Sequence, residues 1–266
     1  MSFAISKDGT RIGYTRVGSG PPVVLVDGAL CHRAFGPLTA VAKELAAGFS
    51  VYTYDRRGRG ESGNTPPFAP AREIDDLDAV IREAGGSAGV CGVSSGAVLA
   101  LDAAARGLSI ERLALYEPPF IVDDTRPPIT AEDARQMQEY VDERRNGAAV
   151  AHFLRIVGVP RMGIAMMRLM PMWSRLKAVA PTLPYDLAVT VPRQGGRPLS
   201  STEWASVTAP TVVIAGGKSP AWMRNGNAAL AAVVPGAAHQ VLPGQTHIVK
   251  AKVLAPFLAG FFRPDS

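Results

Sequence analysis

Apolar residues alternate along this chain between short unbroken runs and longer stretches that recur every three or four positions. Val23-Val24-Leu25-Val26, Ser50–Tyr54, Ala88–Val93 and Arg112–Tyr116 are runs with few polar interruptions. Such runs fit strands buried on both faces of a parallel sheet. Between them lie helical stretches. Pro37–Ala47 ends at Gly48. Arg72–Ala84 carries Ile74, Leu77, Val80 and Ile81 on one stripe and stops at Gly85-Gly86. Ser95–Ala105 is rich in Ala and Leu and stops at Gly107. Ahead of these, Phe3–Ile5 and Arg11–Val17 flank Asp8-Gly9, which reads as a hairpin turn. The strand–helix alternation predicts an α/β fold, a mostly parallel sheet with helices on both faces.

The rhythm breaks after Glu117. Pro118-Pro119 and Pro127-Pro128 bracket an irregular segment, and Thr130-Ala131-Glu132-Asp133 reads as a helix start. Ala134, Met137, Tyr140 and Val141 follow at helical spacing, with further helices over Ala148–Val157 and Met162–Met170. Strand character returns only at Thr211–Ala215. A helix over Asn225–Val234, a strand over His239–Leu242 and a helix over Ile248–Phe262 complete the chain. The expected organisation is a core in two parts, residues 1–119 and 201–266, with a helical insertion over 120–200.

A length of 266 residues, 47% hydrophobic and 19% charged, excludes a mostly disordered chain. No uncharged apolar run is long enough to span a membrane. The opening MSFAISKDGTRIGY places charges where a signal peptide would be apolar. Cys31 and Cys91 form no CxxC pair, so neither a disulfide scaffold nor a structural zinc site is expected. A cytoplasmic protein is the expectation. The net charge of +5 is spread thinly, with one tight cluster at Arg56, Arg57 and Arg59. No basic stripe interleaved with aromatics accompanies it, so neither nucleic acid nor membrane is an expected partner. Nothing in the pattern fixes an oligomeric state.

The sharpest chemical feature is Gly92-Val93-Ser94-Ser95-Gly96, set between an apolar strand and an Ala-rich helix. A serine on such a strand-to-helix turn is pushed clear of the backbone, and the small flanking residues let strand and helix approach. The new helix aims its free N–H groups at the same place. The bland reading is a Gly-rich packing turn with a bystander serine.

This elbow, in this strand–helix context, resembles that of the α/β-hydrolase superfamily, and the resemblance covers nearly the whole chain outside the insertion. Tyr54-Asp55-Arg56-Arg57-Gly58-Arg59-Gly60-Glu61-Ser62 is similar to the family's D-x-R-G-x-G-x-S loop, which is structural there, so its charges carry no implied catalytic role. The resemblance implies an α/β-hydrolase fold with a helical cap and Ser94 as nucleophile.

A serine needs a base within reach. Of His32, His152, His239 and His247, the last sits in Gln245-Thr246-His247, between the final strand and the terminal helix, where the family keeps its catalytic histidine. The family's commonest acid position, after strand Thr211–Ala215, holds Ser219 here rather than an aspartate. Some members place the acid one strand earlier, and Glu117 ends that strand. The implied triad is Ser94, Glu117 and His247; Asp123 or Asp124, or a dyad without an acid, are the alternatives. The implied oxyanion donors are the backbone N–H groups of Ala29 and Ser95. Asp27 stands where the family usually has histidine.

His32 on the same loop, and Met166, Met170 and Trp173 in the insertion, are candidate substrate contacts under an apolar roof. Packing of the cap onto the core explains the methionines equally well. The expected reaction is hydrolysis of an ester or thioester of a hydrophobic small molecule through an acyl-enzyme, with no metal or organic cofactor implied. Two other classes stay open: a lyase or cyclase using His247 as a plain base, and a non-catalytic ligand-binding protein.

Overall fold

Gly9, at φ 82°, turns the chain between Ser2–Ile5 (β1) and Arg11–Val17 (β2), which pair antiparallel from Ser2↔Tyr14 to Ile5↔Arg11. The computed structural model describes residues 2–263. Pro22–Val26 (β3), Pro37–Leu45 (α1), Ser50–Tyr54 (β4), Pro70–Glu83 (α2), Ala88–Val93 (β5), Ser95–Ala105 (α3) and Ile110–Tyr116 (β6) follow in alternation. Thr211–Gly216 (β7), Ala221–Val233 (α9), Ala238–Leu242 (β8) and Ala251–Phe262 (α10) close the chain. The eight strands form one sheet in the order β1-β2-β4-β3-β5-β6-β7-β8, parallel from β4 to β8.

The unbroken apolar runs have a direct cause. Successive side chains on a strand point to opposite faces, and both faces here are covered. Val24 and Val26 pack with α2 and α3, while Val23 and Leu25 pack with α1 and α10. Burying such side chains contributes roughly 1.5–3 kcal/mol each.

Between β6 and β7 the residues from 131 to 193 form a helical insertion: Ala131–Asp142 (α4), Asn146–Ile156 (α5), Arg161–Arg168 (α6), Met172–Val179 (α7) and Leu183–Thr190 (α8), with short 3-10 turns after α7 and α8. Thr130 caps α4 reciprocally with Asp133, the start that the sequence signals. The insertion has its own core, with Met137, Ala149, Val150, Leu176 and Leu183 at its centre. Leu30 belongs to that cluster and Ala29 and Phe35 pack against it, so the insertion sits on the loop that leaves β3.

Several boundaries differ from the sequence expectation. Helix α2 begins at Pro70, α9 at Ala221 directly after Pro220, and α8 carries Pro184 in its first turn. Proline is tolerated at these first positions because its missing N–H has no intrahelical partner there. Residues 248–250 precede α10 rather than belonging to it. Among the described residues no helix is long and apolar enough to cross a membrane.

Candidate active site

Interior strand β5 delivers Ser94 just past its C-terminal end, and α3 begins at the next residue. Ser94 has φ 56° and ψ −124°, a conformation rare for a residue with a Cβ. Its N–H donates to Tyr116 O at 2.9 Å, which pins the turn to β6. The flanking glycines are required by space. A Cβ on Gly96 would lie 2.3 Å from Val26 O, and one on Gly92 would lie 2.4 Å from Gly96 O. The turn leaves the Ser94 side chain half-buried, and the loop after β3 lies directly against it. A Cβ on Gly28 would meet Ser94 Cβ at 3.0 Å.

Strand β6 ends in Glu117, which is fully buried and also left-handed, at φ 47°. Both of its carboxylate oxygens receive donors. Gly216 N–H donates to Oε1 at 2.7 Å, and His247 Nδ1 lies 2.8 Å from Oε2. The His247 side chain is 39% exposed. Its loop is fastened on both sides. Lys250 N–H donates to the Gln245 side chain, and the Tyr116 hydroxyl donates to Thr246 O at 2.6 Å. Among the described residues no hydrogen bond joins Ser94 Oγ to His247.

Among the described residues neither of the other acids considered has a hydrogen bond to this histidine. Asp123 accepts from Thr125 and Asn225, and Asp124 is exposed. Ser219, where an aspartate was to be expected by resemblance, is buried with its hydroxyl unpartnered. The Gly216 N–H three residues before it goes instead to Glu117.

Asp27 is buried at the head of the loop and accepts the N–H of Leu38 in the first turn of α1, while its Oδ1 has no hydrogen-bond partner among the described residues. Burial pushes its carboxyl up to about 7, against the pull of Arg59 and Arg56. Cys31 and Cys91 are driven up to about 12, chiefly by burial and also by Asp27, so both are held as neutral thiols.

Of the remaining candidates, His32 closes a tight turn with Phe35 and lies 3.9 Å from Asp55 Oδ1. Trp173 is buried in the insertion's own core, and Met166 and Met170 are exposed on its surface. Trp173 packs against Leu176 and the other apolar residues of that core.

The basic cluster is not a surface patch. Arg56, Arg57 and Arg59 are all buried and paired, Arg56 with Glu73 and Asp186, Arg57 with Asp76 and Asp8, Arg59 with Asp186. Asp186, on α8, escaped the sequence reading. Its signal was slight: it is the first acid after a stretch from Arg144 to Tyr185 that has none.

A sequence profile of the Alpha/beta hydrolase family matches residues 20–256. An alpha/beta hydrolase from Sphaerobacter thermophilus is 48% identical across 98% of this chain and 100% of its own, with a TM-score of 0.91. The enol-lactonase from Burkholderia xenovorans, 20% identical, covers 98% of this chain and 99% of its own with a TM-score of 0.73. A thermophilic esterase from Thermogutta terrifontis, 21% identical over 98% of this chain and 99% of its own, gives 0.71. The latter two likenesses are of fold. No curated protein matches the chain.

Proposed function

The chain belongs to the alpha/beta hydrolase family, and within it we propose a serine hydrolase that cleaves an ester or thioester of a hydrophobic small molecule. The observation that carries this reading is the contact of His247 Nδ1 with the buried Glu117 carboxylate at 2.8 Å, beside a serine held at φ 56° on the elbow.

In this reading His247, with Nδ1–H held by Glu117, presents Nε2 as the base. Ser94 Oγ attacks the acyl carbon as its proton passes to His247. The oxyanion of the tetrahedral intermediate accepts from the N–H groups of Ala29 and Ser95. His247 then returns the proton to the leaving alcohol or thiol. Water, deprotonated by His247, releases the acid and restores Ser94. Glu117 orients the imidazole and stabilises the imidazolium. Activity in the cytoplasm on a freely diffusing metabolite is part of the same proposal.

The test is intact mass after incubation with a fluorophosphonate, comparing wild type with Ser94→Ala, followed by a panel of p-nitrophenyl esters and acyl thioesters. One stoichiometric adduct that vanishes in Ser94→Ala, with turnover on the panel, is expected. A folded wild type that takes no adduct sinks the reading.

A further inference from the structure

The Gly28–Ala29 peptide, through Arg59, and the side chain of Ser95 are both tied to one carboxylate on the insertion. Asp186 of α8 is fully buried. Its Oδ1 accepts the Ser95 hydroxyl at 2.7 Å and Arg56 Nη1 at 2.8 Å, and its Oδ2 accepts Arg59 Nη2 at 2.7 Å. Arg59 Nη1 donates to Gly28 O at 2.7 Å and to Cys31 O at 3.2 Å. Arg56 Nη1 reaches Ser95 Oγ at 3.1 Å and Asp27 O at 3.4 Å.

Covalent geometry gives these contacts a direction. The Gly28 carbonyl and the Ala29 N–H belong to one peptide plane, and in a trans peptide the two point opposite ways. A guanidinium that fixes the carbonyl therefore also fixes where the N–H is aimed. A charged donor on the carbonyl polarises the peptide as well, which strengthens its N–H. On the other side, the Ser95 hydroxyl anchors the residue that supplies the second N–H. On the core side this network reaches Glu73 of α2, residues 27–31 and Ser95, and the last two segments lie against or next to Ser94. Adhesion between insertion and core would not require that convergence.

We propose that Asp186 is a positioning residue for the oxyanion hole, setting the Ala29 amide through Arg59 and the Ser95 amide through the Ser95 hydroxyl. The inference rests on the serine hydrolase reading. The carboxylate form is essential, because Arg59 has no other carboxylate at ion-pair distance among the described residues. Burial alone would raise the Asp186 carboxyl, but Arg59, Arg56 and the Ser95 hydroxyl together hold it below its usual value. It therefore remains an anion wherever the enzyme works.

The experiment uses Ser95→Ala, Asp186→Asn and the double variant. Ser95→Ala keeps the backbone N–H and every ion pair, so it tests the idea even where Asp186→Asn fails to fold. Each is measured for kcat and KM on p-nitrophenyl butyrate, for inhibition by an alkyl boronic acid that mimics the tetrahedral intermediate, and for melting temperature. Loss of one aligned oxyanion donor lowers kcat by about 10²–10³. Misalignment without loss should give part of that: kcat down about tenfold in Ser95→Ala and about a hundredfold in Asp186→Asn, with KM within about twofold. Boronate affinity should fall in step with kcat, and the double variant should be no worse than Asp186→Asn alone.

The proposal is overturned if folded Ser95→Ala keeps wild-type kcat and boronate affinity, or if its loss appears in KM alone. Failure of the underlying reading is seen separately, as a wild type that takes no fluorophosphonate.

Discussion

Tyr116 donates its phenol hydroxyl to the carbonyl of Thr246 at 2.6 Å. These residues immediately precede Glu117 and His247, which meet at 2.8 Å. Two consecutive contacts thus fasten the end of β6 to the loop after β8, across the intervening strand β7.

Tyr116→Phe keeps the buried ring and removes only the hydroxyl. The His247 loop loses one fastening, and the Thr246 carbonyl loses its partner. The expected result is a drop of about 1 kcal/mol in urea unfolding and a fall in kcat of about three- to tenfold, with little change in KM. An unchanged kcat would mean that the Glu117 contact alone positions the imidazole.

Glu117→Gln should be far more damaging than its small change in shape suggests. Both carboxylate oxygens accept hydrogen bonds, one from Gly216 N–H and one from His247. A glutamine offers one accepting oxygen, so its NH2 must face a donor on one side. We expect kcat to fall by about 10²–10⁴, and fluorophosphonate labelling to slow in parallel.

Ser219→Asp in that Glu117→Gln background tests where an acid can stand. Ser219 is buried beside Gly216 with an idle hydroxyl. An aspartate there should recover about tenfold or more of the lost kcat. In the wild-type background the same change buries a second carboxylate near Glu117 and should lower the melting temperature. Recovery in neither activity nor labelling would show that only the β6 position reaches the imidazole.

Asp27 makes a pH prediction whose sign is fixed by its raised carboxyl, pushed up to about 7 in the fold from 3.8. The folded state then binds more protons than the unfolded chain between those values, so stability is lost as pH rises through that window. Asp27→Asn removes this contribution. Its stability relative to wild type should climb between pH 4 and pH 8, by a few kcal/mol at about 1.4 per unit. Urea melts of both proteins across that range make the comparison; parallel curves would show that Asp27 does not titrate there.

The parts of the molecule that depend on local pattern were readable in the chain. Val23–Val26 and Ala88–Val93 announce parallel strands because two covered faces demand apolar residues at consecutive positions. Gly92, Ser94 and Gly96 announce a tight elbow because nothing larger than glycine fits against Val26 O and Gly96 O. Glu117 and His247 were singled out through the family resemblance, which assigns roles to the end of β6 and to the loop after β8. The Asp186 network was not, for a physical reason. Asp186 lies 130 positions from Arg56 and 91 from Ser95, and an ion pair closed over that distance leaves no periodicity in either segment. The arginines were read as loop architecture through the family resemblance, and the sequence does not show which distant acid they meet. Helices α7 and α8 were not singled out in the sequence; Pro171 directly precedes the first and Pro184 lies in the first turn of the second.

The burial of Arg59 bears on how this protein can be rebuilt. Family members that share a sheet invite exchange of their roofs, as if each were a detachable part. Here the counter-ion of a core arginine belongs to the roof. A chimera that replaced residues 131–193 with a foreign segment would leave a guanidinium enclosed without an anion, unless the donor carried an acid where α8 now places Asp186. Breaking such a buried pair from one side costs about 3–5 kcal/mol, comparable to the whole stability margin of many domains. The core and its roof are therefore inherited together, and a graft here must begin by transplanting one aspartate.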